Sequence, residues 1–211
     1  MFANGDDPLK AGHVVSLNRP EGNVTGASFF SAAVVASKRL ELLHQLVPKV
    51  TTVAFLENPT GLQAIAERNE VQTSVQGFRL HMLVLDAVRE DDFESAFGTL
   101  ADRHVGALFV AGDVLFLSRR DHLVALAARY AIPTVYQLRE FVTSGGLMSY
   151  GASITDTYRI AGVYTGQILK GANPLTSRSY YRPSMNWPSI SRPQRRWVLT
   201  SRRCCLLSPT R

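Results

Sequence analysis

One stretch, residues 105–151, constrains the fold most strongly, because apolar runs of strand length alternate there with helical periodicity. Ala107–Val110 is a short, unbroken apolar run that ends at Gly112 and Asp113. Such a run is typical of a strand that is buried on both faces of a parallel sheet. The stretch therefore indicates a βαβ unit, in which a helix returns the chain to the start of a parallel neighbour.

A helix is predicted directly after this strand. Ser118 and Asp121 have the spacing of a capping box, and apolar residues recur behind them at helical intervals. Residues 132–136 are predicted to form the next strand, with Pro133 near its start because proline cannot donate a hydrogen bond to the sheet. A short helix and a further strand ending near Gly151 complete the segment.

The same alternation covers the rest of the chain up to residue 171. Helices are predicted over residues 32–47, 62–77, 91–104 and 154–170, and strands over residues 53–56 and 80–85. In the first helix Arg39 is predicted to lie mostly off the apolar stripe, and Gly171 is predicted to stop the last helix. The pattern indicates an α/β fold, a Rossmann-like lobe whose mainly parallel sheet is flanked by helices.

The net charge of +6 comes from the end of the chain. Residues 175–211 contain eight arginines and no Asp or Glu, which leaves 15 basic and 17 acidic residues in residues 1–174. A nucleic-acid partner is therefore not expected for the body, although binding led by the basic tail remains an alternative. Membrane insertion is not expected, since no apolar run approaches the roughly 20 residues that span a bilayer.

No catalytic or metal-binding constellation is found. The five histidines are scattered, without the spacing of metal ligands. The sequence has no phosphate-binding loop, no nucleophile elbow and no dinucleotide-binding glycine motif. We therefore expect no enzyme activity, no metal and no cofactor.

Polar residues do follow the predicted strands, at the edge where open α/β sheets bind ligands. They are Glu57, Asn58, Thr60, Asp86, Gly112, Asp113, Tyr136, Gln137, Arg139 and Glu140. Two interpretations stay open, ordinary loop residues or a binding site. An amide, carboxylates, an arginine and a phenol on one edge would suit a small zwitterion such as an amino acid.

Three long segments resemble one protein family. They are residues 5–29 (GDDPLKAGHVVSLNRPEGNVTGASF), 38–59 (KRLELLHQLVPKVTTVAFLENP) and 118–151 (SRRDHLVALAARYAIPTVYQLREFVTSGGLMSYG). The chain closely resembles, from about residue 2 to residue 174, the substrate-binding proteins of bacterial ABC transporters of the tryptophan/tyrosine type. That family has the type I periplasmic binding protein fold, in which two lobes bind a small solute between them.

The resemblance implies a division of the chain. Residues 1–26 would be a remnant of the first lobe, residues 27–151 the second lobe, and residues 152–174 the helix that returns to the first lobe. Residues 175–211 would be a basic irregular tail, disordered or translated out of frame. Relative to the family the chain is expected to be truncated at its N-terminus, so that solute binding is impaired.

The resemblance also implies partners and a site. A small-molecule solute and an ABC permease are the expected partners, in the periplasm, although a chain without a signal peptide would remain cytoplasmic. The implied cleft residues are Asp6 and Asp7 on the first lobe, with Asn58, Asp113, Tyr136 and Glu140 on the second. The alternative within this fold is the ligand-sensing lobe of a transcription regulator.

Overall fold

The computed structural model describes residues 2–4, 12, 26–28, 35–61, 63–172 and 185–190. The strands are β1 (Phe2–Asn4), β2 (Gly26–Ser28), β3 (Thr52–Glu57), β4 (His81–Asp86), β5 (Ala107–Val110), β6 (Thr134–Tyr136), β7 (Met148–Ala152) and β8 (Met185–Ile190). The helices are α1 (Ala36–Leu46), α2 (Ala64–Gly77), α3 (Asp92–Asp102), α4 (Val114–Ser118), α5 (Arg120–Arg129), α6 (Arg139–Thr143) and α7 (Ile154–Leu169).

Six strands form one sheet in the order β4-β3-β5-β6-β7-β8. The first five are parallel, and along the chain at least one helix connects each of them to the next. This arrangement confirms the predicted α/β fold with a parallel sheet flanked by helices. Because the strands are parallel, all their carboxyl ends lie along one edge of the sheet.

Helices cover both faces of this sheet and form two cores. Alternate residues of β3 point to opposite faces, so that Val53 and Phe55 pack with α1 and α2 while Ala54 and Leu56 pack on the other side. The second core is rich in phenylalanine, with Phe93 of α3 against Phe116 of α4 at 5.8 Å between ring centroids. Burial on both faces explains the unbroken apolar runs in β3 and β5.

The helix ends correct one prediction. Ser118 is the last residue of α4, and α5 begins at Arg120 without a side-chain cap, so Ser118 and Asp121 form no capping box. The cap lies earlier, where Asp113 Oδ1 accepts a hydrogen bond from Leu115 N at 2.7 Å. Ser118 is unavailable as a cap because its hydroxyl donates to Leu115 O within α4.

The last helix, α7, ends as predicted. Gly171 follows it with a φ of +93°, a left-handed conformation that glycine adopts without strain. The helix also begins at residue 154 as predicted, but its cap was not predicted: Ser153 Oγ accepts a hydrogen bond from Asp156 N at 3.2 Å.

Two short strands near the ends of the described chain lie outside the parallel part of the large sheet. Gly26–Ser28 pairs in parallel with Phe2–Asn4 in a separate two-stranded sheet, so residues 27 and 28 do not join the large sheet. Residues 185–190, predicted to be irregular, form β8, which pairs antiparallel with β7. The prediction of an irregular tail is therefore wrong for these six residues, and the rest of the tail after residue 172 lies outside the described residues.

Candidate functional site

The carboxyl ends of β3 and β5 bring together two of the predicted site residues. Asn58 Nδ2 donates a hydrogen bond to Asp113 Oδ2 at 3.3 Å. Asn58 Oδ1 accepts from Thr60 N at 3.1 Å and from Thr60 Oγ1 at 2.7 Å, which fixes the orientation of the amide. Both side chains are half-buried, so part of each faces solvent at the sheet edge.

A glycine allows the loop after β3 to approach Asp113. A Cβ added at Gly61 would lie 2.9 Å from Asp113 Oδ2 and 3.1 Å from Asn58 O. Both distances are shorter than ordinary van der Waals contacts, and one of them is to backbone. The close contact between the two loops therefore depends on a residue without a side chain at this position.

A buried ion pair supports this part of the edge from beneath. Arg39 of α1 and Glu67 of α2 are both 0% exposed and form a salt bridge. The other carboxylate oxygen of Glu67 accepts a hydrogen bond from Gly112 N at 2.9 Å, directly before Asp113. The prediction that Arg39 lies off the apolar stripe is wrong, since its guanidinium stacks 4.7 Å from the centre of the Phe109 ring.

We call Asn58, Gly112 and Asp113, with Arg39 and Glu67 beneath them, the supported edge. Three separate elements meet there through one carboxylate, because Glu67 contacts both α1 and the loop after β5. A buried pair of this kind tolerates few arrangements, since each charge needs its partner in place. The Gly112–Asp113 backbone is therefore held in a defined position.

Glu57, the last residue of β3, is also buried. Arg68 Nη1 donates to its Oε1 at 2.6 Å, while its Oε2 has no hydrogen-bond partner among the described residues. Burial raises the pKa of Glu57 from its ordinary 4.5, Arg68 opposes that shift, and the nearby acids Asp86 and Glu67 add to it. Glu57 thus supports the edge from within and does not face solvent.

Glu140 lies in a cleft of about 310 Å³ at the carboxyl ends of β6 and β7. We call this the open cleft; its lining residues are Arg139, Glu140, Thr143, Ser153, Thr155 and Asp156. One wall belongs to α6 and the other to the first turn of α7. Arg139 and Glu140 were predicted from the sequence, whereas the residues of the α7 wall were not.

Gly151, near the end of β7, allows close contact between that strand and the loop after β6. A Cβ at this position would lie 2.3 Å from Gln137 O, so the loop that leads into α6 presses directly on the strand. The contact between this loop and β7 therefore depends on a residue without a side chain at position 151.

Tyr136 does not contribute to this surface. Its side chain is 1% exposed and its ring stacks on Phe141 at 4.5 Å between centroids. Burial raises the pKa of the phenol above its ordinary value of 10. The prediction that Tyr136 faces the cleft is wrong because β6 is a central strand whose last residue still points into the core.

Three further expectations concern Asp6 and Asp7, metal binding and membrane insertion. Asp6 and Asp7 lie outside the described residues. Within the described part of the chain, no group of three or more His, Cys, Asp or Glu residues could hold a metal ion. In the same part, every helix is too short or too polar to cross a bilayer.

Comparison with known proteins identifies relatives of this chain. A curated tyrosine-binding protein from Clostridioides difficile (strain R20291) is 24% identical over 165 residues, which is 78% of this chain and 47% of that protein. The structure of an ABC domain in complex with L-Trp from Streptococcus pneumonia has a TM-score of 0.71 at 24% identity and covers 87% of this chain and 62% of that one. A conserved domain protein from Vibrio cholerae has a TM-score of 0.69 at 22% identity, with 82% and 57% covered.

The chain thus spans about half the length of the curated relative and about three-fifths of these two structures. The likeness to solved structures shows the fold, that of type I periplasmic binding proteins. The model of one family, described as ABC transporter substrate binding protein, matches residues 1–178. The chain therefore belongs to the ABC transporter substrate-binding protein family.

Proposed function

We propose that this chain provides the second lobe of the solute-binding component of a bacterial ABC importer, and that the solute is a small zwitterion such as an amino acid. The observation that carries the proposal is the meeting of Asn58 and Asp113 on the carboxyl edge that also holds Glu140. Open α/β sheets bind ligands at this edge. Charged groups of both signs there suit a ligand that carries both charges.

The Asn58–Asp113 pair and Glu140 are close enough for one small ligand to contact both. Asn58 follows β3, Asp113 follows β5 and Glu140 follows β6, and these three strands are neighbours. At about 4.8 Å between adjacent strands, roughly 10 Å separates the ends of β3 and β6. The tyrosine-binding relative and the L-Trp complex support an aromatic amino acid as the first compound to test.

The proposal extends to the parts that pair with this lobe. Asp6 and Asp7 would contact the solute from the facing lobe, and residues 152–174 would lead back to that lobe. An ABC permease would receive the solute, in the periplasm. The role is binding without chemical conversion, and the family match favours it over that of a regulator's sensing lobe.

Isothermal titration of the full chain tests the function. L-tyrosine, L-tryptophan, other amino acids and, as a contrast, ribose would be titrated into the wild type and into Asp113→Asn. Loss of the Asp113 charge is expected to weaken amino-acid binding about tenfold, because a hydrogen bond to a charged acceptor is replaced by one to a neutral acceptor. Asp102→Asn, an exposed residue at the end of α3, is the matched control.

Two outcomes would contradict the proposal. Binding of ribose without binding of any amino acid would make the solute class wrong. Equal affinity of Asp113→Asn and the wild type for an amino acid would remove the supported edge from the site.

A further inference from the structure

The open cleft contains charged side chains that form no ion pair within the described residues. Arg139 and Glu140 are adjacent in sequence and opposite in charge, yet within the described residues neither side chain takes part in an ion pair. Most other acids near the sheet edge are engaged, as Glu57 is by Arg68 and Glu90 by Arg119. Arg139 and Glu140 therefore have no described structural partner.

The opposite wall adds an acid and hydroxyl groups. Asp156 is only weakly compensated, by Arg159 on the solvent side of α7 at 3.5 Å. Ser153 Oγ accepts a hydrogen bond from Asp156 N and keeps its own proton to donate. The cleft thus presents one guanidinium, two carboxylates and several hydroxyls within about 310 Å³.

This set is complementary to the head of an α-amino acid. A guanidinium binds a carboxylate through parallel N–H···O bonds, and carboxylates accept hydrogen bonds from an ammonium group. A ligand with a carboxylate alone would pair with the arginine and leave both acids without a partner in the ligand. A ligand with only a carboxylate, or only an ammonium group, would leave part of the set unpaired in the cleft.

We propose that the open cleft is the subsite for this head group, an inference that rests on the proposed function. Arg139 binds the α-carboxylate, and Glu140 and Asp156 bind the α-ammonium. The supported edge then contacts another part of the same solute. Specificity for an amino acid over its amine or its acid analogue would come from α6 and α7, and not from the strand ends of β3 and β5.

The test measures which ligand group each side chain recognises. Titration calorimetry with the full chain would compare L-tyrosine with tyramine, which lacks the carboxylate, and with 3-(4-hydroxyphenyl)propionate, which lacks the amino group; L-tryptophan, tryptamine and indole-3-propionate form a second series. Arg139→Gln is expected to weaken binding of the amino acid about tenfold or more and to leave binding of the amine unchanged. Glu140→Gln is expected to weaken binding of the amino acid similarly and to leave binding of the acid analogue unchanged.

Two controls match these variants in chemistry. Arg129→Gln and Glu94→Gln remove the members of an exposed salt bridge between α5 and α3, away from the cleft. Both should bind all ligands as the wild type does. Equal weakening of amino acid, amine and acid analogue by Arg139→Gln or Glu140→Gln would indicate a general structural change and would overturn the assignment of that residue.

The outcomes separate this inference from the proposed function. If Asp113→Asn weakens amino-acid binding while both cleft variants bind as the wild type does, the inference is wrong and the function stands. If no amino acid binds the wild-type chain, the proposed solute class fails and the inference fails with it.

Discussion

The two ends of the candidate site are built differently. At the supported edge the charges of Arg39 and Glu67 are buried and paired, and they hold backbone in place. In the open cleft Arg139 and Glu140 face a cavity without described charged partners. The first arrangement serves the fold and positions a loop, whereas the second is available to a ligand. A charge at the carboxyl edge of a parallel sheet is therefore informative about binding only when the fold has not already used it.

The largest expected effect is on stability, when the buried ion pair of the supported edge is broken. Glu67→Ala should lower the free energy of unfolding by about 3–5 kcal/mol, because the Arg39 charge stays buried without its carboxylate partner. Glu41→Ala, which breaks the exposed Lys38–Glu41 pair on α1, should cost no more than about 1 kcal/mol. Urea unfolding monitored by circular dichroism measures both.

A double variant sharpens the same point. Arg39→Met with Glu67→Leu should recover most of the stability lost in Glu67→Ala, since well-packed apolar residues often replace a buried ion pair without loss. Stability as low as in the single variant would show that the Gly112 hydrogen bond, and not the buried charge, is the larger contribution.

The backbone contact beside the open cleft gives the next largest effect. Gly151→Ala places a Cβ where Gln137 O already lies, and overpacking of this kind costs about 1–3 kcal/mol. Gly98→Ala is the matched control, because nothing lies within 4 Å of its added Cβ. In the interior of α3 this substitution should stabilise the chain by about 0.5–1 kcal/mol. Thermal unfolding of both variants checks the opposite signs, and a destabilised Gly98→Ala would contradict the contrast.

The sequence predicted the layered fold because strand and helix periodicities are local. Arg39 and Glu67 were missed although the spacing was present: Arg39 lies three residues after Ala36 and four before Leu43, and Glu67 lies three after Ala64. Both are therefore core positions of their helices. Two opposite charges at core positions of successive helices indicate a buried pair, a signal that considering each helix alone does not reveal.

The site was predicted only in part for a similar reason. The pattern Ser-x-x-Asp occurs at both Ser118 and Ser153. A cap is predicted only at Ser118, where none forms, whereas Ser153 caps α7. Counting residues from the end of a strand locates an edge but not the direction of a side chain. Asn58 and Asp113 meet as predicted, whereas Tyr136 turns into the core.

A smaller expected effect tests whether Asp113 stabilises the fold through its side-chain oxygen or through its charge. Asp113→Ala removes the acceptor that caps α4 and should cost about 1 kcal/mol in free energy of unfolding. Asp113→Asn keeps a side-chain oxygen at the same place and should be nearly as stable as the wild type. Chemical denaturation of both variants measures this difference. If Asp113→Asn is destabilised as much as Asp113→Ala, the charge itself stabilises the loop.

The smallest effect concerns the pH dependence of Glu57. Burial raises the pKa of its carboxyl in the folded chain above the value in the unfolded chain, so folding takes up a proton as the pH falls. Arg68 opposes this shift and the nearby Asp86 and Glu67 increase it. Relative to Glu57→Gln, the wild type should therefore gain stability as the pH falls from its raised pKa towards 4.5, and gain nothing more below it. Urea unfolding of both proteins from pH 7.5 to pH 4 measures this difference, with Glu94→Gln as an exposed control. Parallel curves for the wild type and Glu57→Gln would mean that Arg68 fully offsets the burial, and Glu57 would then join the compensated charges of the supported edge.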